Sequence, residues 1–355
     1  MSWVPCLTRS FDDSRLTKVA IGDPLVDDYL VFVGARLRLN SWLAVAYDLK
    51  VFFSVIDKGP AAVTTADVFN FIKAQRAPRR GPKVVRLDDG EAGLSARTIK
   101  RRLASVSGLY AYLVARGDAG VKANPVPRGS VTRRPGQPGR WGTPLIRTPR
   151  TLPRVLSPAE AGTFMAALRT HRDRAMAEAM LLGGLRRCEV LGLRMEDVSA
   201  GERRLFIAEG KGGHQRRVPI SQRFFTTLAA YLGEERPQTD TARVFVVLKQ
   251  PRRGRPLSAY GLDQIVEDAR ARAGIDRLTC HQLRHTCFTR LRENGMALEA
   301  IQAQAGHRSI ESTRIYVQLA NSWLAEEYGR AVDAIEADLA GGNGPDAQTS
   351  GRGDR

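Results

Sequence analysis

Apolar residues recur at helical spacing from residue 27 to 55, at Leu30, Val33, Leu37, Trp42, Val45, Leu49 and Phe52, which predicts amphipathic helix. Thr64, Thr65 and Asp67 open another helix as capping residues, and Val68, Phe69 and Ile72 supply its apolar face. After a loop rich in Pro, Arg and Gly, Ser95 caps a helix whose apolar side runs through Leu103, Val106, Leu109, Tyr110 and Leu113. A helical module is therefore expected over 21–118, behind an N-terminal tail over 1–20. The pattern then lapses. Residues 119–159 hold eight Lys or Arg and no Asp or Glu, with Pro and Gly throughout, so an extended basic linker is expected over 119–156.

Periodicity returns at Ser157-Pro158-Ala159-Glu160, a capping box with Pro at the first helical position. Helices follow to Leu193. Residues 203–208 and 215–220 have strand character and flank the Gly-rich turn Glu209-Gly210-Lys211-Gly212-Gly213-His214; a third strand is expected over 243–248. Helices resume at Ala259 and continue, with breaks, to about Leu339. The last of them, over 321–340, is amphipathic, with Trp323, Leu324, Tyr328, Val332, Ile335 and Leu339 on one side. Residues 341–355 are Gly-rich and polar, which predicts a disordered tail. The expected fold class is mainly α with a small β-sheet, in two domains.

Charge changes the picture. A net charge of +18 on 355 residues calls for a polyanionic partner, nucleic acid first and acidic membrane second. Arg97, Lys100 and Arg101 fall on one helix face and would clamp phosphates. Arg133, Arg134 and Arg140 in the linker, and Arg252, Arg253 and Arg255 in a Pro-flanked loop, are further candidates for phosphate contact. No 18-residue apolar run stands out, so no bilayer span is expected. Arg9, Asp12 and Asp13 interrupt any signal peptide. The four cysteines (Cys6, Cys188, Cys280, Cys287) are scattered without a CxxC, which suits a reducing, cytoplasmic location.

Candidate chemistry concentrates late in the chain. His281 and Arg284 lie three apart on a helix capped by Thr279, His307 follows in Ala305-Gly306-His307-Arg308, and Tyr316 comes nine residues later. Upstream, Arg186 offers a rigid fork matched to phosphate oxygens, and Glu189 is spaced to orient it. Lys211 sits among glycines that permit close approach to a ligand. Each signal alone has an ordinary structural explanation: a surface Arg, an exposed turn Lys, a core Tyr. A zinc site built on His281 and His285 with Cys280 and Cys287 lacks paired Cys ligands and a general-base Glu at useful spacing. No phosphate-loop motif for nucleotide binding is present.

Taken in order, these residues resemble the tyrosine recombinase (phage integrase) family: Arg186 in GLRRCEVLGLR, Lys211 in GKGGHQRRVPI, His281 and Arg284 in HQLRH, His307 in AGHRS and Tyr316 in STRIYVQL. The resemblance spans about residues 157–318, and LSARTIKRRLASVSGLYAYLVARG is similar to the end of the family's core-binding domain. Two departures are visible. Arg187 and Cys188 stand where the family commonly has an apolar residue and Ser, and Ala305 stands where Leu often precedes Gly-His. The resemblance implies a helical, SAM-like core-binding domain and a mixed α/β catalytic domain over 157–320, closing as a clamp on DNA.

The resemblance further implies roles. Tyr316 would be the nucleophile and Arg186 and Arg284 the phosphate-holding cations, with His281 and Lys211 in proton transfer. His307 would bond the phosphate, and Glu189 would support the site. Metal and nucleotide cofactors would be unnecessary. The C-terminal helix would exchange between protomers of a tetramer on paired double-stranded DNA sites, with accessory recombinases or DNA-bending proteins as further partners. The expected function is site-specific recombination through a 3′-phosphotyrosyl intermediate and a Holliday junction, for a mobile element. Type IB topoisomerase-like relaxation and an inactive DNA-binding regulator are the alternatives.

Overall fold

The protein divides into two units, residues 1–150 and 151–355. The computed structural model describes residues 3–12, 15–78, 93–127, 145–147, 153–208, 215–307, 312–314, 316, 328 and 332.

The first unit opens with an antiparallel hairpin, β1 (Thr8–Asp12) and β2 (Arg15–Ala20), with a bulge between Ser10 and Phe11. Val19 and Ile21 are buried in the unit's core. Residues 8–12 and 15–20 are thus paired strands where a tail was expected, joined to the core through the end of β2. The helical stretch read as continuous from 27 to 55 is two helices, α1 (Pro24–Arg36) and α2 (Leu39–Ile56), because Leu37 and Arg38 between them are extended. A Cβ on Gly34 would lie 2.8 Å from the Trp42 indole, so glycine lets the two helices meet closely. By length and composition α2 could cross a membrane, contrary to the expectation that no such run exists. In the structure its Trp42, Ala46, Leu49, Phe52 and Phe53 are buried within the unit.

α3 (Thr65–Arg76) carries the capping box Thr64/Asp67, and α4 (Ala96–Arg116) starts at the Ser95 cap and ends on left-handed Gly117. Val68, Phe71, Ile99, Val106, Leu109 and Leu113 complete the core. Part of the expected linker also belongs here. Val126 and Ile146 are buried on this core, and the Asn124 amide bonds the Ser107 carbonyl at 2.9 Å. The apolar residues of the segment outweigh its proline content where they find cover. Arg133, Arg134 and Arg140 lie outside the described residues.

In the second unit, α5 (Pro158–Ala166) begins at the Ser157/Glu160 capping box and is followed by α6 (His171–Leu181) and α7 (Arg187–Gly192). A three-stranded antiparallel sheet comes next, β3 (Val198–Ser199), β4 (Arg204–Ile207) and β5 (Arg216–Pro219), in that order, with Leu205 opposite Val218. The third strand is therefore 198–199, not 243–248. Residues in that later segment form only isolated bridges, Arg194 with Arg243 and Val246 with Pro256. Single backbone bonds, such as Val244 N–H to Leu193 O at 2.9 Å and Val247 N–H to Arg255 O at 2.9 Å, tie it to neighbouring loops, and side chains take further groups. The Tyr231 hydroxyl donates to the Val244 carbonyl at 3.1 Å and accepts the Val246 N–H at 3.2 Å, and Arg172 donates to the Val246 carbonyl at 2.9 Å.

α8 (Gln222–Ala230), α9 (Ala259–Arg272), α10 (Cys280–Glu293) and α11 (Leu298–Ala305) complete the described elements. Leu185, Val190, Val218, Phe224, Phe245 and Leu283 share one core with residues of α5, α6 and α9. Residues 209–214, and with them Lys211, lie outside the described residues. Of the expected C-terminal helix, Tyr328 and Val332 are described: both are helical and Tyr328 is exposed. The 341–355 tail is outside the description.

Candidate active site

The turn before α7 is shaped by Gly184, whose φ is +66°. Its Cβ would come within 2.4 Å of the Phe288 ring, so no other residue fits without displacing an aromatic core side chain. The Gly184 carbonyl accepts a hydrogen bond from Arg284 Nη1 of α10. Two residues on, Arg186 folds back on Glu189. Its N–H meets Oε2 at 2.9 Å and its Nη1 meets Oε1 at 2.8 Å. Arg216 of β5 grips the same carboxylate with both ends of its fork, Nη1 to Oε1 at 3.0 Å and Nη2 to Oε2 at 2.9 Å. Arg284 Nη1 stands 3.8 Å from Oε2. Three guanidiniums thus surround one carboxylate that is 3% exposed.

Burial alone would raise the Glu189 pKa, but Arg216, the Arg186 N–H and Arg186 hold it down at about 2. Burial, then Arg186, pulls Arg284 down to about 10, and it stays protonated at neutral pH. Around this one carboxylate the cluster holds a local excess of two positive charges, a setting that favours an added anion.

His307 follows α11, which ends on left-handed Gly306. Its Nε2 lies 3.4 Å from Arg284 Nη2, and its Nδ1 lies 2.9 Å from the Thr313 hydroxyl. A guanidinium only donates, so Nε2 is the acceptor and the ring proton falls on Nδ1, toward Thr313. Burial, Arg284 and Arg186 hold the His307 pKa at about 4, so the ring is neutral. Arg284 Nη2 also donates to the Ala305 carbonyl at 2.7 Å. The residue that departs from the family pattern at 305 still supplies its backbone to the site.

Tyr316 stacks on His307 with ring centroids 6.3 Å apart and planes 10° from parallel, and lies 5.3 Å from Phe288 and 5.7 Å from His285. It is 1% exposed. Burial pushes its phenol up to about 12, against the pull of Arg284 and Arg186. His281 and Arg284 diverge despite their spacing: Arg284 is buried, whereas His281 is exposed on the first turn of α10. His285 contacts both His281, edge-on at 4.4 Å, and the tyrosine ring. Burial, His281 and Arg284 hold its pKa at about 4.

The structure therefore gathers Arg186, Glu189, Arg284, His307 and Tyr316, and sets His281 at the margin. It also adds Arg216, which the sequence analysis missed. One signal pointed to it: on β5, Arg216 shares a face with buried Val218, two residues on. Arg187 pairs with Asp263 of α9 and Cys188 is exposed, so both departures near Arg186 lie off the cluster. Among the described residues no group of three His, Cys, Asp or Glu is placed to hold a metal.

The cationic candidates separate. Arg97 and Lys100 are exposed. Arg101 instead bonds the buried Asp48 carboxylate, Nη1 to Oδ2 at 2.5 Å, because that acid needs a counter-charge. Its side chain stays half-exposed beside Arg97 and Lys100 on α4. Arg252, Arg253 and Arg255 are exposed on a turn fixed by Gly254 N–H to Val247 O at 2.8 Å and Thr239 Oγ1 to Gly254 O at 2.7 Å.

Residues 154–322 match the phage integrase family. The tyrosine recombinase XerD of Mycobacterium tuberculosis (strain ATCC 25618 / H37Rv) is 34% identical over 282 residues, covering 76% of this chain and 83% of its own. Two solved structures share the fold. The Tn1549 transposon integrase in complex with transposon right end DNA has a TM-score of 0.63 at 18% identity, covering 86% of this chain and 98% of its own. A lambda integrase tetramer bound to a Holliday junction has a TM-score of 0.60 at 17% identity, covering 84% and 77%. The chain belongs to the tyrosine recombinase family, whose enzymes cleave and rejoin DNA through a tyrosine.

Proposed function

We propose that the protein is a site-specific DNA recombinase that exchanges strands between paired duplex sites through a 3′-phosphotyrosyl intermediate. The observation that carries this is the convergence of Arg186, Arg284, His307 and Tyr316 on one buried cationic cluster. Arg186 and Arg284 hold the non-bridging oxygens of the scissile phosphate and stabilise the added charge at the transition state. The Tyr316 oxygen attacks phosphorus as His281 assists removal of its proton. The bond to the 5′ oxygen breaks, and Lys211 protonates the leaving group. His307, stacked on Tyr316, bonds the phosphate through Nε2–H, which requires the ring proton to shift from Nδ1 to Nε2 as Arg284 turns to the phosphate and the Thr313 hydroxyl donates to Nδ1. The phosphotyrosyl ester conserves the energy of the phosphodiester, so a 5′-hydroxyl from either duplex can reverse the step without metal or nucleotide.

Tyr316 and Arg284 are each 1% exposed, and Arg284 donates to the Gly184 and Ala305 carbonyls. DNA binding must uncover both. Exposed Arg97, Lys100, Arg252, Arg253 and Arg255 provide duplex contacts, and Arg133, Arg134 and Arg140 add to the positive charge of the sequence. The lambda integrase tetramer supports assembly of four protomers on a junction, with 321–340 as the exchanged helix. The Xer-type relative favours resolution of chromosomal sites over the mobile-element role expected from sequence. Action on DNA places the enzyme in the cytoplasm.

The test uses the full chain and a nicked suicide duplex carrying a site selected from random sequence. Wild type forms a covalent adduct in the presence of EDTA, and Tyr316→Phe forms none. Adduct from Tyr316→Phe, or strict dependence on Mg²⁺, overturns the proposal.

A further inference from the structure

Arg216 does more than neutralise Glu189. Its third donor, Nε, bonds the Gln304 carbonyl at 3.1 Å, at the end of α11 and three residues before His307. The guanidinium packs on Gly306, where a Cβ would come within 3.1 Å of Nη1. Gln304 returns the link: its buried amide donates to the Gly183 carbonyl at 3.1 Å and to the Pro219 carbonyl at 3.0 Å. One compact set of bonds therefore joins the turn leading to Arg186, the end of β5 and the turn carrying His307. Arg216 lies five residues from Lys211 on the same hairpin. Its side chain is 11% exposed, and Nε, Nη1 and Nη2 each bond a protein acceptor, so its fork is already oriented by the protein.

We propose that Arg216 is a positioning residue for strand cleavage: its fork fixes the Glu189 carboxylate, and through it the Arg186 guanidinium, while its Nε sets the turn that presents His307. Without the fork, Glu189 is free to change rotamer and Arg186 loses its aim. A lysine cannot replace it, because a single ammonium cannot span both carboxylate oxygens. The proposal rests on Arg186 and His307 as phosphate-contacting groups.

The test compares wild type, Arg216→Gln and Arg216→Lys as full chains in single-turnover cleavage of the suicide duplex at saturating DNA. Three scissile groups are used: ordinary phosphate, methylphosphonate and 5′-bridging phosphorothiolate. On phosphate, Arg216→Gln is expected to cleave about 100-fold more slowly with DNA affinity unchanged, the size of effect that misplacing a catalytic group produces. Methylphosphonate removes the charge that Arg186 must meet, so the gap should narrow at least about tenfold there. The phosphorothiolate, whose leaving sulfur needs no proton, should leave the gap in place.

Equal rates on phosphate, or a gap unchanged on methylphosphonate, overturn the proposal. Rescue by the phosphorothiolate also overturns it, because the defect would then lie in proton donation from the Lys211 turn. If Arg216→Gln unfolds, Arg216→Lys is read on the same substrates with the same outcomes. No adduct from wild type condemns the recombinase reading itself, not the role of Arg216.

Discussion

Two buried carboxylates, Asp48 in the first unit and Glu189 in the second, meet arginines under opposite conditions. Asp48 receives Arg101 at 2.5 Å and the Ser105 hydroxyl at 2.9 Å, with Arg102 3.8 Å away. Burial wins there: the Asp48 pKa is raised despite Ser105, Arg101 and Arg102. Glu189 receives four hydrogen bonds from Arg186 and Arg216, and its pKa is driven down. The half-exposed Arg101 side chain reaches back into solvent, whereas Arg284 beside Glu189 is sealed in. Burial of a carboxylate therefore does not mark a site. A surplus of buried, hydrogen-bonded cations around it does.

Removing the acids tests this contrast most strongly. Glu189→Ala leaves three guanidiniums uncompensated and should cost about 3–5 kcal/mol in denaturant unfolding of the second unit. Asp48→Ala lets Arg101 return to water and should cost the first unit about 1–2 kcal/mol. Equal losses would break the comparison.

Acid titration sharpens it, because the signs differ. Glu189 has a folded pKa near 2 against an ordinary 4.5, so its stabilisation is complete above pH 4.5 and is lost as pH falls toward 2. That loss amounts to about 3 kcal/mol and should vanish in Glu189→Gln. Asp48 is raised, so the folded state binds its proton first. Its contribution therefore improves as pH falls from its folded pKa to 3.8, and Asp48→Asn should remove that opposite slope. Stability measured from pH 2 to 6 for each unit checks both.

The smallest effect concerns DNA. Arg97→Ala and Lys100→Ala should each lower the slope of log affinity against log salt by about 0.9, one phosphate contact apiece. Arg101→Ala should mainly lower stability. A full unit of slope lost in Arg101→Ala would show that it contacts phosphate as Arg97 and Lys100 are expected to.

Local signals in the sequence transferred well. The caps at Thr64, Ser95 and Ser157 set helix starts because a side chain and an N–H three residues on decide them. The break between α1 and α2 was hidden, since apolar spacing runs through Leu37 and only the Gly34–Trp42 contact reveals the corner. Residues 243–248 have strand composition, but their backbone bonds are divided among Leu193, the turn at 254–257 and the side chains of Tyr231 and Arg172, so no continuous ladder forms. In the site, Arg186 with Glu189 was legible from spacing. Arg216 was not, because its partners come from two other elements. The spacing of His281 and Arg284 was equally plain, yet one stayed at the surface and the other went inside.

The covered phenol of Tyr316 has a kinetic consequence. Exposing it consumes free energy that small phosphates cannot return, since they touch none of the outlying cationic surface. A duplex that engages those surfaces can return it. Each mismatch in a site then reduces the rate constant of cleavage as well as occupancy, so poor sequences are held without being cut. Discrimination would accordingly appear larger in cleavage than in binding.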